Sequence, residues 1–288
     1  MFLMFENEFI LTLSCQDRIG IVAAVTGMLA TNGMNILELS QFSDPSTQQF
    51  FMRLDFRVES GPSSEDQICE AFKPVAEKFG MSFELHDKNY RPKVLIMVSK
   101  LSHCFNDLLH RHKNGTLPIE IPAVVSNHED LEEMASWYNL PFYHFPITQK
   151  NKIEQEKKLF KLVQDLEIDL IVLARYMQII SEDLCKKLHG KIINIHHSFL
   201  PSFKGAKPYH QAYERGVKVI GATAHYVTAD LDEGPIIDQE TIRVRHDHTP
   251  KQLVQLGCDV ECLVLARALK YQVEQRVILN NNKTVVFS

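Results

Sequence analysis

Apolar and polar positions run in two rhythms, one before about residue 86 and another after residue 92. Residues 8–15 form an apolar, partly β-branched run that Gln16-Asp17-Arg18-Ile19-Gly20 interrupts before an Ala-, Val- and Met-rich stretch reaching Ala30. The pattern predicts a strand, a turn and a helix. Residues 34–42 then read as a strand and Asp44-Pro45-Ser46 as a turn, and residues 50–58 alternate large apolar residues with Arg53, Asp55 and Arg57, so a hairpin is predicted. Gly61-Pro62-Ser63-Ser64 supplies a break and an N-cap for a helix over 65–79, and residues 81–85 supply a last short strand. The predicted order is βαββαβ.

The polar, proline-bearing stretch from His86 to Pro92 separates the two rhythms, which places one domain at 1–86, a linker at 87–92 and a second domain at 93–288. Beyond the linker, short β-type runs at 93–98, 119–125, 141–145, 169–173 and 191–195 alternate with helical stretches such as 104–112 and 152–166. Near-continuous apolar strands between helices point to an α/β fold with a mostly parallel sheet covered on both faces. Ligands of such sheets bind beyond the carboxyl ends of the strands, so the reactive residues are expected there.

The 288 residues suit two domains, and 45% hydrophobic with 23% charged residues is ordinary for a globular chain. A net charge of -5 with scattered Lys and Arg excludes a basic nucleic-acid footprint. Six cysteines without a Cys-x-x-Cys pair fit a reducing, cytoplasmic setting. Cys258 and Cys262, four apart on a predicted helix, lack a histidine at metal spacing and read as helix packing, so no metal is expected. The first ten residues carry Glu6 and Glu8 and no basic signal-peptide start, and no apolar run reaches the roughly 18 residues of a membrane span.

The densest polar constellation is Asn194-Ile195-His196-His197-Ser198-Phe199-Leu200-Pro201 at the end of a predicted strand. Alternation sends Asn194 and His196 to one face and Ile195 to the other. An amide donor beside an imidazole is what stabilising an oxyanion requires, although a satisfied structural histidine is the competing reading, favoured for His197. A second cluster, Gly221 through Tyr226 into Thr228, Asp230, Asp232, Glu233, Gly234 and Pro235, reads as an alternating strand entering an acidic turn. Solvated turn carboxylates are the plainer reading of those acids.

Two resemblances organise these observations. The front βαββαβ order, with Asp17-Arg18-Ile19-Gly20 after the first strand and Asn32-Gly33-Met34-Asn35 after the first helix, resembles the amino-acid-binding ACT domain, a ferredoxin-like fold. That likeness implies an effector, glycine or methionine, near Asp17, Gly20, Asn32 and Asn35, and edge-to-edge pairing into a homo-oligomer, a dimer or a tetramer. Helix punctuation by Gly20 and Asn32-Gly33 is the alternative reading.

From Pro92 to about residue 275, the Asn194-Ile195-His196 segment, Ser198-Phe199-Leu200-Pro201 and the run from His225 to Pro235 resemble the Rossmann-like formyltransferase fold of enzymes that use 10-formyltetrahydrofolate. The double histidine and Gly205-Ala206-Lys207-Pro208-Tyr209-His210-Gln211-Ala212-Tyr213 resemble the hydrolytic branch of that family. The resemblance implies a catalytic trio of Asn194, His196 and Asp232. It also implies a pterin slot along Arg175, Tyr176, Met177 and Ile179 and along Thr228 and Asp230, with 10-formyltetrahydrofolate as substrate and no permanently bound cofactor.

Phosphate-binding relatives carry a glycine-rich turn where this chain has Ser99-Lys100-Leu101-Ser102-His103-Cys104-Phe105. Without glycine a backbone anion nest is disfavoured, so water is the expected formyl acceptor, with His103 lining the vacated acceptor site or serving structure alone. Transfer to an amine acceptor and a non-catalytic amino-acid sensor are the alternatives.

Overall fold

The structure, a computed structural model, describes residues 7–201 and 208–287. The chain divides into two compact units. The first comprises Met1–Tyr90, Glu274–Asn280 and Val285–Ser288, and the second Arg91–Val273 and Asn281–Thr284.

In the first unit β1 (Glu8–Gln16), α1 (Ile21–Thr31), β2 (Met34–Asp44), β3 (Gln49–Val58), α2 (Glu65–Phe79) and β4 (Ser82–Asp87) follow one another in the predicted βαββαβ order. The strands form an antiparallel sheet in the order β2-β3-β1-β4. Helix α2 shows why the local reading works. The Ser64 hydroxyl accepts from the Gln67 amide at 3.4 Å, Glu65 and Asp66 face the positive helix start, and Gly80 ends the helix at φ 63°. Its Ile68, Phe72 and Phe79 are buried in the core, each contributing about 1.5–3 kcal/mol.

The second unit contains β5 (Val94–Val98), α3 (His103–Lys113), β6 (Val124–Ser126), α4 (Glu132–Trp137), β7 (Phe142–His144), α5 (Lys152–Asp165), β8 (Leu170–Leu173), α6 (Glu182–Lys187), β9 (Ile192–His196), α7 (Pro208–Arg215), β10 (Val219–Tyr226), β11 (Ile236–Arg243) and α8 (Pro250–Val273). Its seven-stranded sheet has the order β11-β10-β9-β8-β5-β6-β7. Strands β9 through β7 in that order are parallel, as the apolar runs predict, whereas β10 and β11 are antiparallel. The register of β10 on β9 sets His225 opposite Asn194 and Thr223 opposite His196.

The chain closes with β12 (Val277–Asn280) and β13 (Lys283–Val286). The sequence reading carries the second domain to residue 288, yet most of this closing segment groups with the first unit. The reason is local chemistry: Val285, Phe287 and Ile278 pack with Phe51, and the Asn280 amide donates to Asp44 Oδ2 at 2.7 Å. Both Arg53 Nε and Nη2 donate to the Glu274 carbonyl, at 3.3 and 3.1 Å.

Candidate active site

Strand β9 ends in the constellation singled out above, and the loop after β10 folds back upon it. Gly234 makes that return possible, since a Cβ at this position would lie 1.8 Å from the Tyr226 carbonyl oxygen. Asp232 stands in the left-handed region at φ 57°, which aspartate tolerates better than most residues. Its Oδ2 comes within 3.3 Å of His196 Nδ1, and its Oδ1 within 3.7 Å of His225 Nε2. Hydrogen bonding from His196, ahead of the opposing effect of partial burial, holds the Asp232 carboxyl below the usual carboxylate range.

Both ring nitrogens of His196 are engaged, because Nε2 lies 2.9 Å from Ser198 Oγ. The side chain is buried, 6% exposed. His197 stacks on it with centroids 4.9 Å apart. Burial first, then the Arg175 guanidinium and His196, push the His197 pKa down to about 4, so its ring is neutral at neutral pH.

His225 was named in the sequence only as part of a run, and the structure gives it a specific place. Burial lowers its pKa and keeps it neutral. Its Nδ1 donates to the Tyr226 carbonyl at 2.9 Å, which leaves Nε2 to accept from Asn194 Nδ2 at 3.2 Å. The amide of Asn194 is thereby oriented, and its nitrogen carries a second N–H that makes no hydrogen bond among the described residues. A histidine in an alternating strand, directly after the small residues Gly221-Ala222-Thr223-Ala224, is the signal that could have drawn attention to it.

Asn194, His196 and Asp232 line one cavity of about 250 Å³. Its walls include Arg175, Tyr176, Met177 and Ile179 from the passage after β8, together with Thr228 and Asp230 from the loop after β10. Met177, Ile179 and Leu231 are exposed apolar side chains at this rim, suited to a flat heterocycle. The passage is pinned from behind: the Ser99 hydroxyl donates to Asn127 Oδ1 at 2.6 Å and accepts from the Met177 amide at 3.0 Å. Ser99 is 3% exposed, and these two bonds tie the end of β5 to the passage after β8. Gly205, Ala206 and Lys207 lie outside the described residues.

His103 is not among the residues of that cavity wall. Its Nε2 sits 2.7 Å from Glu261 Oε2 on α8, and the Tyr209 hydroxyl donates to Glu261 Oε1 at 2.7 Å. Burial opposes the charge on His103, but bonds to Cys258 and Glu261 outweigh it and raise its pKa to about 10. Cys258 and Cys262 have no histidine at metal spacing in the sequence, but the start of α3 brings His103 to Cys258 and Glu261 on α8. His103, Cys104 and Glu261 present ligand-type atoms within 4.8 Å of one another. Glu261 already faces the imidazolium of His103 and the guanidinium of Arg175. The Cys104 thiol is pushed well up by its bond with Cys262 and by burial, so it stays protonated and unreactive.

In the first unit, Gly20 takes φ 96° at the start of α1. Asn32 caps the end of α1 and donates from Nδ2 to the Met28 carbonyl at 2.9 Å. Asp17 and Asn35 are exposed, Asp17 in the loop after β1 and Asn35 on β2.

Residues 92–269 match the formyl transferase family and residues 9–74 the ACT domain, which defines the class: a formyl-transfer fold behind an ACT domain. A formyltetrahydrofolate deformylase of Corynebacterium sp. (strain P-1) is 50% identical over 281 residues, 98% of each chain. That of Bacillus subtilis (strain 168) is 45% identical over 98% of this chain and 95% of its own. The crystal structure of formyltetrahydrofolate deformylase from Burkholderia mallei superposes with a TM-score of 0.93 at 50% identity, covering 98% of this chain and 99% of that one. The chain belongs to the formyltetrahydrofolate deformylase family. Among the described residues no helix is long and apolar enough to cross a membrane.

Proposed function

We propose that the protein hydrolyses 10-formyltetrahydrofolate to tetrahydrofolate and formate, with Asn194, His196 and Asp232 as its catalytic groups. The observation that carries this reading is the convergence of the three on one cavity, with His196 Nδ1 3.3 Å from Asp232 Oδ2. The folate enters between the passage 173–180 and the loop 227–232, so that its formyl group meets Asn194 and His196. Water bonds through oxygen to the formyl carbon and yields one proton to the His196–Asp232 pair. The free N–H of Asn194 stabilises the tetrahedral oxyanion, a contribution of about 3–4 kcal/mol in comparable sites. The same proton then passes to N10 as the carbon–N10 bond breaks, and formic acid leaves to ionise. Release of formate from 10-formyltetrahydrofolate by the purified protein, without any amine, is the direct test. Strict dependence on an amine would show a transferase.

The ACT domain binds an amino-acid effector, glycine or methionine, at the loop carrying Asp17 and Gly20 and at the Asn32–Asn35 turn. The positive φ of Gly20, which leaves backbone groups uncovered by a side chain, supports this reading. Titration calorimetry of the full chain with each amino acid tests it, and absence of heat with both removes it. The protein works as a homo-oligomer in the cytosol, where its six free cysteines remain reduced.

A further inference from the structure

Arg175 is the unexpected member of the cavity wall. It follows β8 with φ 63°, a conformation that glycine takes freely and a long side chain only at a cost. Strain of this kind persists where the side chain itself is needed. The residue is a buried cation, 9% exposed, and its Nε–H makes no hydrogen bond among the described residues. Glu261 Oε2 stands 3.4 Å from that nitrogen. So loose a buried pair is weak support for the fold, because desolvating two ions offsets their attraction. Glu261, 1% exposed, is itself fixed by Tyr209 and His103. The arrangement holds a guanidinium against the wall that carries Asn194, His196 and His197.

We infer that Arg175, backed by Glu261, restricts the formyl acceptor to water. This rests on the hydrolase reading above and adds its specificity determinant. An amine acceptor must bring a substituent as well as a nitrogen to the formyl carbon, and Arg175 lines the cavity into which Asn194 and His196 also project. Its positive charge also repels the protonated form in which most amines arrive. Water needs the room of one oxygen atom and carries no charge. With the side chain gone, an amine nitrogen bonds to the formyl carbon, the carbon–N10 bond breaks, and one amine proton ends on N10. The products are then a formamide and tetrahydrofolate.

The test uses the full chain with 10-formyltetrahydrofolate and either hydroxylamine or glycinamide, with formate and formylated amine both quantified by mass spectrometry. The wild-type protein gives formate, with formylated amine no higher than in an enzyme-free control. Arg175→Gly, which suits the backbone conformation, raises the ratio of formylated amine to formate by about tenfold or more, the scale on which steric rejection by a pocket operates. Arg175→Gly combined with Glu261→Gln gives the same shift with the buried carboxylate that faced Arg175 also neutralised. Glu261→Gln alone, which loosens Arg175 but keeps it, gives a smaller shift in the same direction. An unchanged ratio in folded variants that still turn over overturns the inference. Loss of both products in folded variants also overturns it, because Arg175 would then belong to the hydrolytic machinery. A wild-type protein that released no formate without amine would instead refute the hydrolase reading itself.

Discussion

Replacing Asp232 with Asn keeps the size of the side chain and removes its charge. At the 3.3 Å separation from His196 Nδ1, attraction between a carboxylate and a developing imidazolium is about 5 kcal/mol at an effective dielectric of about 20. The Asp232 side chain is 19% exposed, so water screens part of this. Roughly 3–4 kcal/mol remains, which corresponds to a loss of about 10²- to 10³-fold in kcat. Folate binding should change little, since the pterin walls are untouched. Formate release under saturating substrate measures the first quantity, and fluorescence titration with a folate measures the second. The pH profile adds an independent readout. Because the bond from His196 holds the wild-type carboxyl ionised below the usual carboxylate range, activity is lost only on the acid side of that range. The Asn variant lacks that limb. A drop of less than about tenfold in kcat, or a loss expressed wholly in KM, would refute the placing of Asp232 in the proton path.

Gly234→Ala forces a methyl group against the Tyr226 carbonyl, 1.8 Å from an ideal Cβ, so the loop carrying Asp232 must shift. The expected cost is about 10²-fold in kcat for a misplacement near 1 Å, with the fold retained by circular dichroism, and normal turnover would show the loop to be more compliant than it looks. His103 gives a pH-dependent stability. Its folded pKa of about 10 exceeds the ordinary 6.5, so its contribution is complete below 6.5 and is lost as pH rises through 10. Thermal unfolding of the wild type should therefore fall across that window, by about 2–4 °C for each kcal/mol lost, and His103→Gln should flatten the slope; parallel curves would remove the ion pair from the account.

The elements whose rhythm is local were legible in the chain. Helix α2 announces itself through Ser64, two acids in its first turn and Gly80, and β5 and β8 through short apolar runs. Strand β11 was missed because its residues Ile236–Arg243 mix apolar and charged types on an edge position. Helix α8 was read only around Cys258 and Cys262, since buried residues fall on much of its circumference and blur the period. The same physics divided the site. Asn194 and His196 share one strand face, so two-residue spacing sufficed to pair them. Glu261 offered nothing locally: one glutamate on the stretch read as a helix becomes a hub only when α3, α7 and the passage after β8 reach it, which is long-range information.

The grouping of residues 274–280 and 285–288 with Met1–Tyr90 has a practical corollary. In covalent terms the second unit interrupts the first, whose three pieces are separated by residues 91–273 and 281–284. A fragment stopped near residue 86 would leave Phe51 without Val285 and Phe287, and Asp44 without Asn280. A deletion after residue 273, made to trim a seemingly dispensable tail, would strip the first unit of these contacts while leaving Asn194, His196 and Asp232 in place. Ligand studies on the ACT domain therefore call for the intact polypeptide rather than an N-terminal truncate.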